Sequence, residues 1–355
     1  MLKNRRRRLL SFFDEHDLDL LLIGHPLNLR YLSGFSGSEG ALLLTPDGGW
    51  FLCDSRYTVQ ANSEVSGLTV VEHALHQEGL AALVRQAGGH RLGFEAAHMT
   101  VSHHLGLAAC LPEIALVPIG QELDSIRHCK DAGELEQLEK VAVLASSSLE
   151  AVLPLVRPGL VESELALQLE FEMRRRGAEG RGFDFIVASG VRGAMPHGRA
   201  SDKVIQAGEL VTIDFGAVLD GYHSDETVTV AVGSLGERQQ KIYDTVLDAH
   251  DRAIAAVRPG ISCKAVDAVA RSYIHEQGFG EYFGHGLGHG VGLAIHEKPV
   301  ISPRSDVMLE EGMVFTIEPG IYIPGFGGVR IEDTVAVTVD GCRLLTKVPK
   351  KLQVV

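Results

Sequence analysis

The sequence predicts a two-domain α/β (α+β) protein whose second domain is an internal duplication. Strand-like and helix-like segments alternate over the first third of the chain. Beyond it, similar segments recur about a hundred residues apart, which indicates a repeated structural unit. Each copy holds acidic residues within apolar, strand-like sequence. We place the domains at residues 1–124 and 125–355.

The first domain is predicted to be a mixed α/β unit of modest size. A helix with the arginines of residues 5–8 on its exposed face comes first, and residues 26–35 are predicted to form a loop. The turn sequence Pro46-Asp-Gly-Gly49 joins two strands of a hairpin. The predicted strands are Leu20–Ile23, Ala41–Thr45, Trp50–Cys53, Thr69–Val71, Arg91–Phe94 and Ile114–Val117, and the predicted helices are Asn4–His16, Asp54–Ala61, Glu78–Gln86 and Val101–Cys110.

The second domain begins with a long helix over Arg127–Ala151, where apolar residues recur at helical spacing. Each duplicated half then has a Val-Arg-Pro-Gly turn, a further helix and strands. The turns are Val156–Gly159 and Val257–Gly260. We expect two α/β halves packed around one central antiparallel sheet.

The segment Gly208–Val230 is the centre of the prediction. It is predicted to form a β-hairpin, and it carries Asp214 and Asp225. Taken alone, an aspartate of this kind is most simply an edge-strand or turn residue. The pattern around Asp214 recurs with Glu318 in its place, however, and the pattern around Asp225 recurs with Glu332. Four carboxylates that face each other across a pseudo-two-fold axis need cations, so the sequence predicts a two-metal site.

Between the two halves of the duplication lies a glycine-rich segment, Gly284–Glu297. His285 and His289 are four residues apart within it, but five glycines at alternate positions argue against a helix. A loop or strand that passes close to other backbone is expected instead. The chain has no His-Glu-x-x-His motif, so a zincin mechanism is not supported.

Composition limits the classes of partner that the protein is expected to bind and the compartment in which it is expected to act. A net charge of -13 argues against nucleic acid and anionic membranes, and favours small molecules or peptides. The five cysteines include no Cys-x-x-Cys pair, which is typical of free thiols in a reducing cytoplasm. Apolar runs are too short to span a membrane.

The C-terminal 230 or so residues resemble the pita-bread metallopeptidase family that contains methionine aminopeptidase, aminopeptidase P and prolidase. The motifs are Ile-Asp-Phe-Gly, Ser-Asp-Glu-Thr, Gly-Leu-Gly-His-Gly, Ile-Glu-Pro-Gly and Arg-Ile-Glu-Asp. The resemblance implies the metal ligands Asp214, Asp225, His289, Glu318 and Glu332. It also implies that His197, His285 and His296 face the substrate and that Glu318 relays a proton. Arg330 is implied to contact the metal ligands rather than the metal ions.

The first domain resembles the creatinase-type N-terminal domain of Xaa-Pro peptidases through Asn28–Phe35 and Asp54–Tyr57. Together the two resemblances imply an exopeptidase that cleaves between an N-terminal residue and proline, as aminopeptidase P or prolidase does. Two divalent ions are expected, with Mn²⁺ favoured and Co²⁺, Fe²⁺ or Zn²⁺ as alternatives. A cytoplasmic homodimer is also expected.

Three alternatives stay open at this point. A methionine aminopeptidase would share the ligands but lack the first domain, and a creatinase would lack the metal chemistry. A non-catalytic pita-bread binding protein would be expected to lose ligands. The preference between dipeptides and longer peptides also stays open, with Arg56 and Arg304 as candidates to bind a terminal carboxylate.

Overall fold

The computed structural model describes residues 2–73 and 76–355. Contacts within the chain divide it into two compact units, Met1–Arg127 and His128–Val355. The division lies close to the predicted boundary between residues 124 and 125. Within the described ranges, no helix has both the length and the apolar character needed to cross a membrane.

The first unit is a mixed six-stranded sheet with helices. Its strands are β1 Leu20–Ile23, β2 Ala41–Thr45, β3 Gly48–Cys53, β4 Thr69–Glu72, β5 Arg91–Glu95 and β6 Ala115–Ile119, in the order β4-β3-β2-β1-β5-β6. Its α-helices are α1 Leu2–Arg7, α2 Leu10–His16, α3 Pro26–Ser33, α4 Thr58–Glu64, α5 His76–Ala87 and α6 Val101–Cys110, and Gln121–Arg127 is a 3₁₀-helix. The central strand β1 is buried along its whole length, because its leucines pack on both faces of the sheet.

Three predictions for the first unit were wrong. Residues 26–33 form helix α3 rather than a loop, with Pro26 in its first turn and Gly34 in the left-handed conformation at its end. Arg5 is buried rather than exposed, because its guanidinium lies over the ring of Tyr31, 4.4 Å from the centroid. The first helix also breaks in two, between Arg7 and Leu10.

The second unit contains four α-helices among its described elements, α7 Ala132–Val152, α8 Glu162–Arg175, α9 Glu237–Ala256 and α10 Cys263–Glu276. Its strands are β7 Gly180–Arg181, β8 Ile186–Ser189, β9 Leu210–Phe215, β10 Ala217–Leu219, β11 Tyr222–His223, β12 Glu226–Ala231, β13 Gly288–Gly290, β14 Glu297–Ile301, β15 Val314–Ile317, β16 Gly320–Ile323, β17 Gly327–Arg330, β18 Asp333–Val337 and β19 Cys342–Leu344. Helix α7 begins at a capping box, in which Asp131 and Glu134 each accept a hydrogen bond from the other's backbone N–H.

The predicted duplication is visible in the order of elements. Helices α7 and α8 precede the antiparallel sheet β12-β9-β8, and helices α9 and α10 precede the sheet β14-β13-β15-β18-β19. The prediction of one central sheet needs a correction, because the two halves form separate antiparallel sheets. An isolated bridge between Thr227 and Glu332 joins them, with the Glu332 N–H donating to the Thr227 carbonyl at 3.1 Å. This junction brings the acidic segments of the two halves together.

Candidate metal centre

Each of the four duplicated acidic residues lies in or at the end of a buried strand. Asp214 is in β9, Asp225 directly precedes β12, Glu318 directly follows β15, and Glu332 directly precedes β18. Thr227 pairs with Asp214 across the β9–β12 ladder and with Glu332 across the junction. Neighbouring strands are about 4.8 Å apart, so this register brings acids of both halves within contact distance.

The side chains converge at the junction. Asp214, Asp225 and Glu332 each offer a carboxylate oxygen within 4.8 Å of the others'. The Nε2 atom of His289 lies 3.5 Å from Asp225 Oδ2 and 3.4 Å from Glu318 Oε1. Four carboxylates and one imidazole therefore line one small volume. Oxygen and imidazole donors in this proportion suit a hard to borderline divalent ion.

The glycine-rich segment holds His289 in a defined orientation. Its Nδ1 donates to the Gly290 carbonyl at 3.1 Å, which leaves the Nε2 lone pair free to face the carboxylates. A side chain at Gly288 would overlap the carbonyl oxygen of Thr316 in the neighbouring strand. The prediction that this segment passes close to other backbone is therefore confirmed, and only glycine fits there.

The electrostatics of the cluster favour a bound cation. Burial, followed by the charges of neighbouring carboxylates, raises the pKa of Asp225 and of Glu332 well above their usual range. Burial also raises the pKa of Glu318. Burial lowers the pKa of His289, so its imidazole is neutral and able to act as a ligand at pH 7.

Arg330 is the cation that the protein itself supplies to this cluster. Its side chain is buried, and Nη2 donates to Asp214 Oδ2 at 2.5 Å. It also donates to the Tyr322 hydroxyl, the Pro196 carbonyl and Thr227 Oγ1. The other carboxylate oxygen of Asp214 is buried and has no hydrogen-bond partner among residues 2–73 and 76–355. A buried carboxylate oxygen left in this way is costly unless it binds a cation, so the cluster fits a metal.

The cluster opens into a cavity of about 510 Å³. The predicted substrate histidines His197, His285 and His296 line it together with all five predicted ligands. Arg304 is not among the described residues that line this cavity, and Arg56 pairs with Glu39 and Asp54 in the first unit. The structure thus brings together every site residue predicted in the second unit except Arg304.

Both parts of the chain match known protein families. Residues 136–339 match metallopeptidase family M24, and residues 5–129 match the creatinase/prolidase N-terminal domain. The first of these matches covers more than half of the chain. The chain belongs to metallopeptidase family M24. Its two-domain arrangement, with a creatinase-type first domain and a pita-bread second domain, is the one predicted from the sequence.

Similar proteins cover the M24 chain over nearly its whole length. An Xaa-Pro dipeptidase of Pyrococcus furiosus is 41% identical and covers 99% of this chain and 100% of its own. An uncharacterized peptidase of Bacillus subtilis, YqhT, is 43% identical over 97% of this chain and 98% of its own. The solved Xaa-Pro dipeptidase from Bacillus anthracis has a TM-score of 0.98 at 42% identity, and covers 100% of both chains. An X-Pro aminopeptidase from Thermotoga maritima has a TM-score of 0.92 at 36% identity, and covers 99% of this chain and 100% of its own.

The sequence prediction for this M24 protein missed Tyr322. His285 Nδ1 donates to the Gly286 carbonyl, so His285 Nε2 is a hydrogen-bond acceptor. The Tyr322 hydroxyl donates to this Nε2 atom at 2.9 Å and accepts a hydrogen bond from Arg330. Residues an even number of positions apart along a strand lie on the same face. Gly320 and Tyr322 of β16 follow Glu318 by two and four positions, and this spacing was the signal that could have predicted Tyr322.

A second group that also went unpredicted lies in the first unit, where His25, His98 and Asp124 offer ligand atoms within 4.8 Å of one another. The two imidazole rings are stacked 3.6 Å apart, so their lone pairs do not converge on one point.

Proposed function

We propose that Asp214, Asp225, His289, Glu318 and Glu332 hold two divalent metal ions, and that the protein hydrolyses the bond between an N-terminal residue and a following proline. The convergence of these five side chains around a buried carboxylate oxygen of Asp214, which has no hydrogen-bond partner within the described part of the chain, carries the proposal. The names of similar Xaa-Pro peptidases support the choice of bond. The match of residues 5–129 to the creatinase/prolidase domain counts against a methionine aminopeptidase.

Bound metal ions would polarise the scissile carbonyl and make a water molecule nucleophilic at neutral pH. Glu318 is the residue to carry the proton from that water to the leaving nitrogen. Thr316 Oγ1 donates to Glu318 Oε1 at 3.0 Å and so holds the carboxylate in one orientation.

His197 and His296 are the residues to hydrogen-bond the substrate carbonyl and the negative charge that develops on its oxygen. Both line the cavity beside the metal cluster. The rings of His296 and His289 are in edge-to-face contact, with their centroids 4.3 Å apart, so His296 is held next to the proposed metal ligand His289. Tyr322 fixes His285 as an acceptor, which leaves the cavity wall around it rigid.

Apolar side chains also line the cavity, namely Phe183, Ile186, Ile295 and Val300. They provide a surface for a pyrrolidine ring. A prolyl nitrogen in a peptide has no N–H, so a site of this kind needs no acceptor for one and can bind Xaa-Pro bonds.

We further propose Mn²⁺ as the ion, a homodimer as the assembly and the cytoplasm as the compartment.

Asp214→Ala and Glu318→Ala test the proposal, with Glu139→Ala as the control because Glu139 forms a surface ion pair with Arg343. Metal content and hydrolysis of peptides with proline or alanine in second position are measured. Both site variants are expected to lose turnover, and Glu139→Ala to keep it. Wild-type rates in either site variant would place the chemistry elsewhere, and equal cleavage of alanine peptides would remove the proline assignment.

A further inference from the structure

A buried lysine near the end of the chain lies between two acidic residues from opposite halves of the duplication. Lys350 Nζ is 2.5 Å from Glu226 Oε1 and 3.3 Å from Asp333 Oδ1. The exposed fractions of the three side chains are 7%, 0% and 4% in that order. Glu226 directly follows Asp225, and Asp333 directly follows Glu332. Each partner of Lys350 is therefore the chain neighbour of a proposed metal ligand.

The two partners of Lys350 occupy equivalent positions in the two halves. Glu226 is the first residue of β12, and Asp333 is the first residue of β18. The ligands Asp225 and Glu332 line the metal cavity, whereas Glu226 and Asp333 are not among the described residues that line it. Successive side chains of a strand point to opposite faces, which accounts for this difference. Lys350 therefore contacts both halves on the side away from the metal cavity, near the pseudo-two-fold axis that relates them.

The backbone of Lys350 is held in place, so its ammonium group has a defined position. The Lys350 carbonyl accepts a hydrogen bond from the Tyr243 hydroxyl of α9 at 2.8 Å. Further along the chain, the Val355 N–H donates to the Ala231 carbonyl at the end of β12 at 2.9 Å. Burial alone would lower the pKa of Lys350, but the charges of the two carboxylates raise it above its ordinary value, so the ammonium group is charged at pH 7. A charged group on a fixed backbone thus connects the two strands.

Two other neighbours each contact one of the carboxylates. Ser146 Oγ of α7 donates to Glu226 Oε2 at 2.5 Å, and His250 Nε2 of α9 lies 3.2 Å from Asp333 Oδ2. Each of these neighbours comes from the same half of the duplication as the carboxylate that it contacts. Lys350 differs from both, because it contacts the two carboxylates at once and so ties the start of β12 to the start of β18.

We propose that Lys350 is a positioning residue of the metal centre, because the tie between the two strands sets the separation of Asp225 and Glu332. The inference rests on the proposed metal centre. Ligands from both halves can bind one pair of ions only if their carboxylates are held at a defined distance. Residues that hold metal ligands in place typically change metal affinity by about tenfold to a hundredfold when they are replaced. Repulsion between the Lys350 charge and a metal ion acts in the opposite direction, so a variant with unchanged net charge isolates the positioning effect.

The double variant Lys350→Met/Glu226→Gln removes the tie and leaves the net charge unchanged. Replacing a buried ion pair by uncharged groups of similar size often preserves folding, which circular dichroism checks. Lys347→Met/Glu139→Gln is the matched control, because it removes an ion pair whose side chains are 42% and 38% exposed. Mn²⁺ is titrated into each metal-free protein by calorimetry. The Kd for Mn²⁺ is expected to rise by about tenfold to a hundredfold in the first double variant, and by less than about threefold in the control.

Electron paramagnetic resonance gives a readout that lower stability alone would not change. Two neighbouring Mn²⁺ ions give a spin-coupled spectrum, and Lys350→Met/Glu226→Gln is expected to lose it at a Mn²⁺ concentration that fills the wild-type protein. Lys350→Arg keeps both charges, but its larger planar head group alters the spacing of the carboxylates, so its Kd should lie between the two.

A wild-type Kd and a wild-type spectrum in the Lys350→Met/Glu226→Gln variant, or tighter Mn²⁺ binding by it, would overturn the role of Lys350. If that variant does not fold, a wild-type Kd in Lys350→Arg would overturn it instead. Absence of Mn²⁺ binding by the wild-type protein would contradict the proposed metal centre itself, so the two failures are distinguishable.

Discussion

Replacing Arg330 by leucine removes a buried cation that contacts the carboxylate cluster. The Arg330 side chain is 4% exposed, and its fork of donors reaches Asp214, Tyr322, Pro196 and Thr227 at 2.5 to 3.3 Å. Breaking a buried ion pair by removing one partner costs about 3–5 kcal/mol, because the remaining charge is left uncompensated. In the metal-free protein the repulsion between carboxylates adds to this cost.

For a domain of 150–250 residues, about 1 kcal/mol lowers the unfolding temperature by roughly 2–4 °C. Thermal unfolding of metal-free Arg330→Leu is therefore expected roughly 6–20 °C below that of the wild type. Arg330→Lys should fall between the two, because one ammonium group cannot reach the same four acceptors. Arg343→Leu is the control, since its ion pair with Glu139 is 39% and 38% exposed. A pair of that kind is worth about 0.2–1 kcal/mol.

Circular dichroism at fixed pH measures these temperatures before and after addition of a divalent ion. Metal should recover part of the stability of Arg330→Leu, because the ion replaces some of the lost positive charge. If Arg330→Leu unfolds within about 2 °C of the wild type, or no lower than the Arg343→Leu control, then Arg330 does not compensate the buried carboxylates and the reasoning is wrong.

Three further predictions follow from the same geometry. His289→Ala should lower metal occupancy measured by elemental analysis, whereas His197→Ala should keep the metal and slow turnover by roughly a hundredfold; the opposite pattern would exchange their roles. Gly288→Ala should destabilise the fold, because its Cβ overlaps the Thr316 carbonyl, while Gly284→Ala has open space and should unfold like the wild type. Glu332→Gln should stabilise the metal-free protein at pH 8, because burial and the neighbouring carboxylates raise the pKa of Glu332, and the gain should shrink as the pH falls and be lost below about pH 4.3, the ordinary pKa of an unfolded glutamate. A gain that grows as the pH falls would contradict the sign of that pKa shift.

The site was predictable because the duplication repeats both the acids and their surroundings. A single aspartate in a strand has many explanations, but Asp214 and Glu318 both follow Thr-Ile and both precede a glycine by two positions. Asp225 and Glu332 are both followed by a second acidic residue, a threonine and a valine. Strand periodicity and glycine spacing then predict which segments approach each other. The hairpin strands β2, β3, β9 and β12 were predicted for the same reason, since local turn chemistry and alternation determine them.

What the sequence prediction missed depends on contacts between distant segments. Arg5 is buried because Tyr31, in another helix, offers it a ring face. Tyr322 acquires its role only when several strands meet at one cavity. Helix α3 is a different case, because Pro26 and Gly34 are local start and stop signals that were available in the sequence. The junction through Thr227 and Glu332, which replaces a single continuous sheet, has no local signal.

The most direct test of the metal centre is a crystal structure of the protein grown with Mn²⁺, with anomalous scattering measured to locate the ions. We predict two anomalous peaks, each within bonding distance of side chains from the set Asp214, Asp225, His289, Glu318 and Glu332. Absence of peaks among these residues at saturating Mn²⁺, or a peak only at the His25, His98 and Asp124 group of the first unit, would contradict the account.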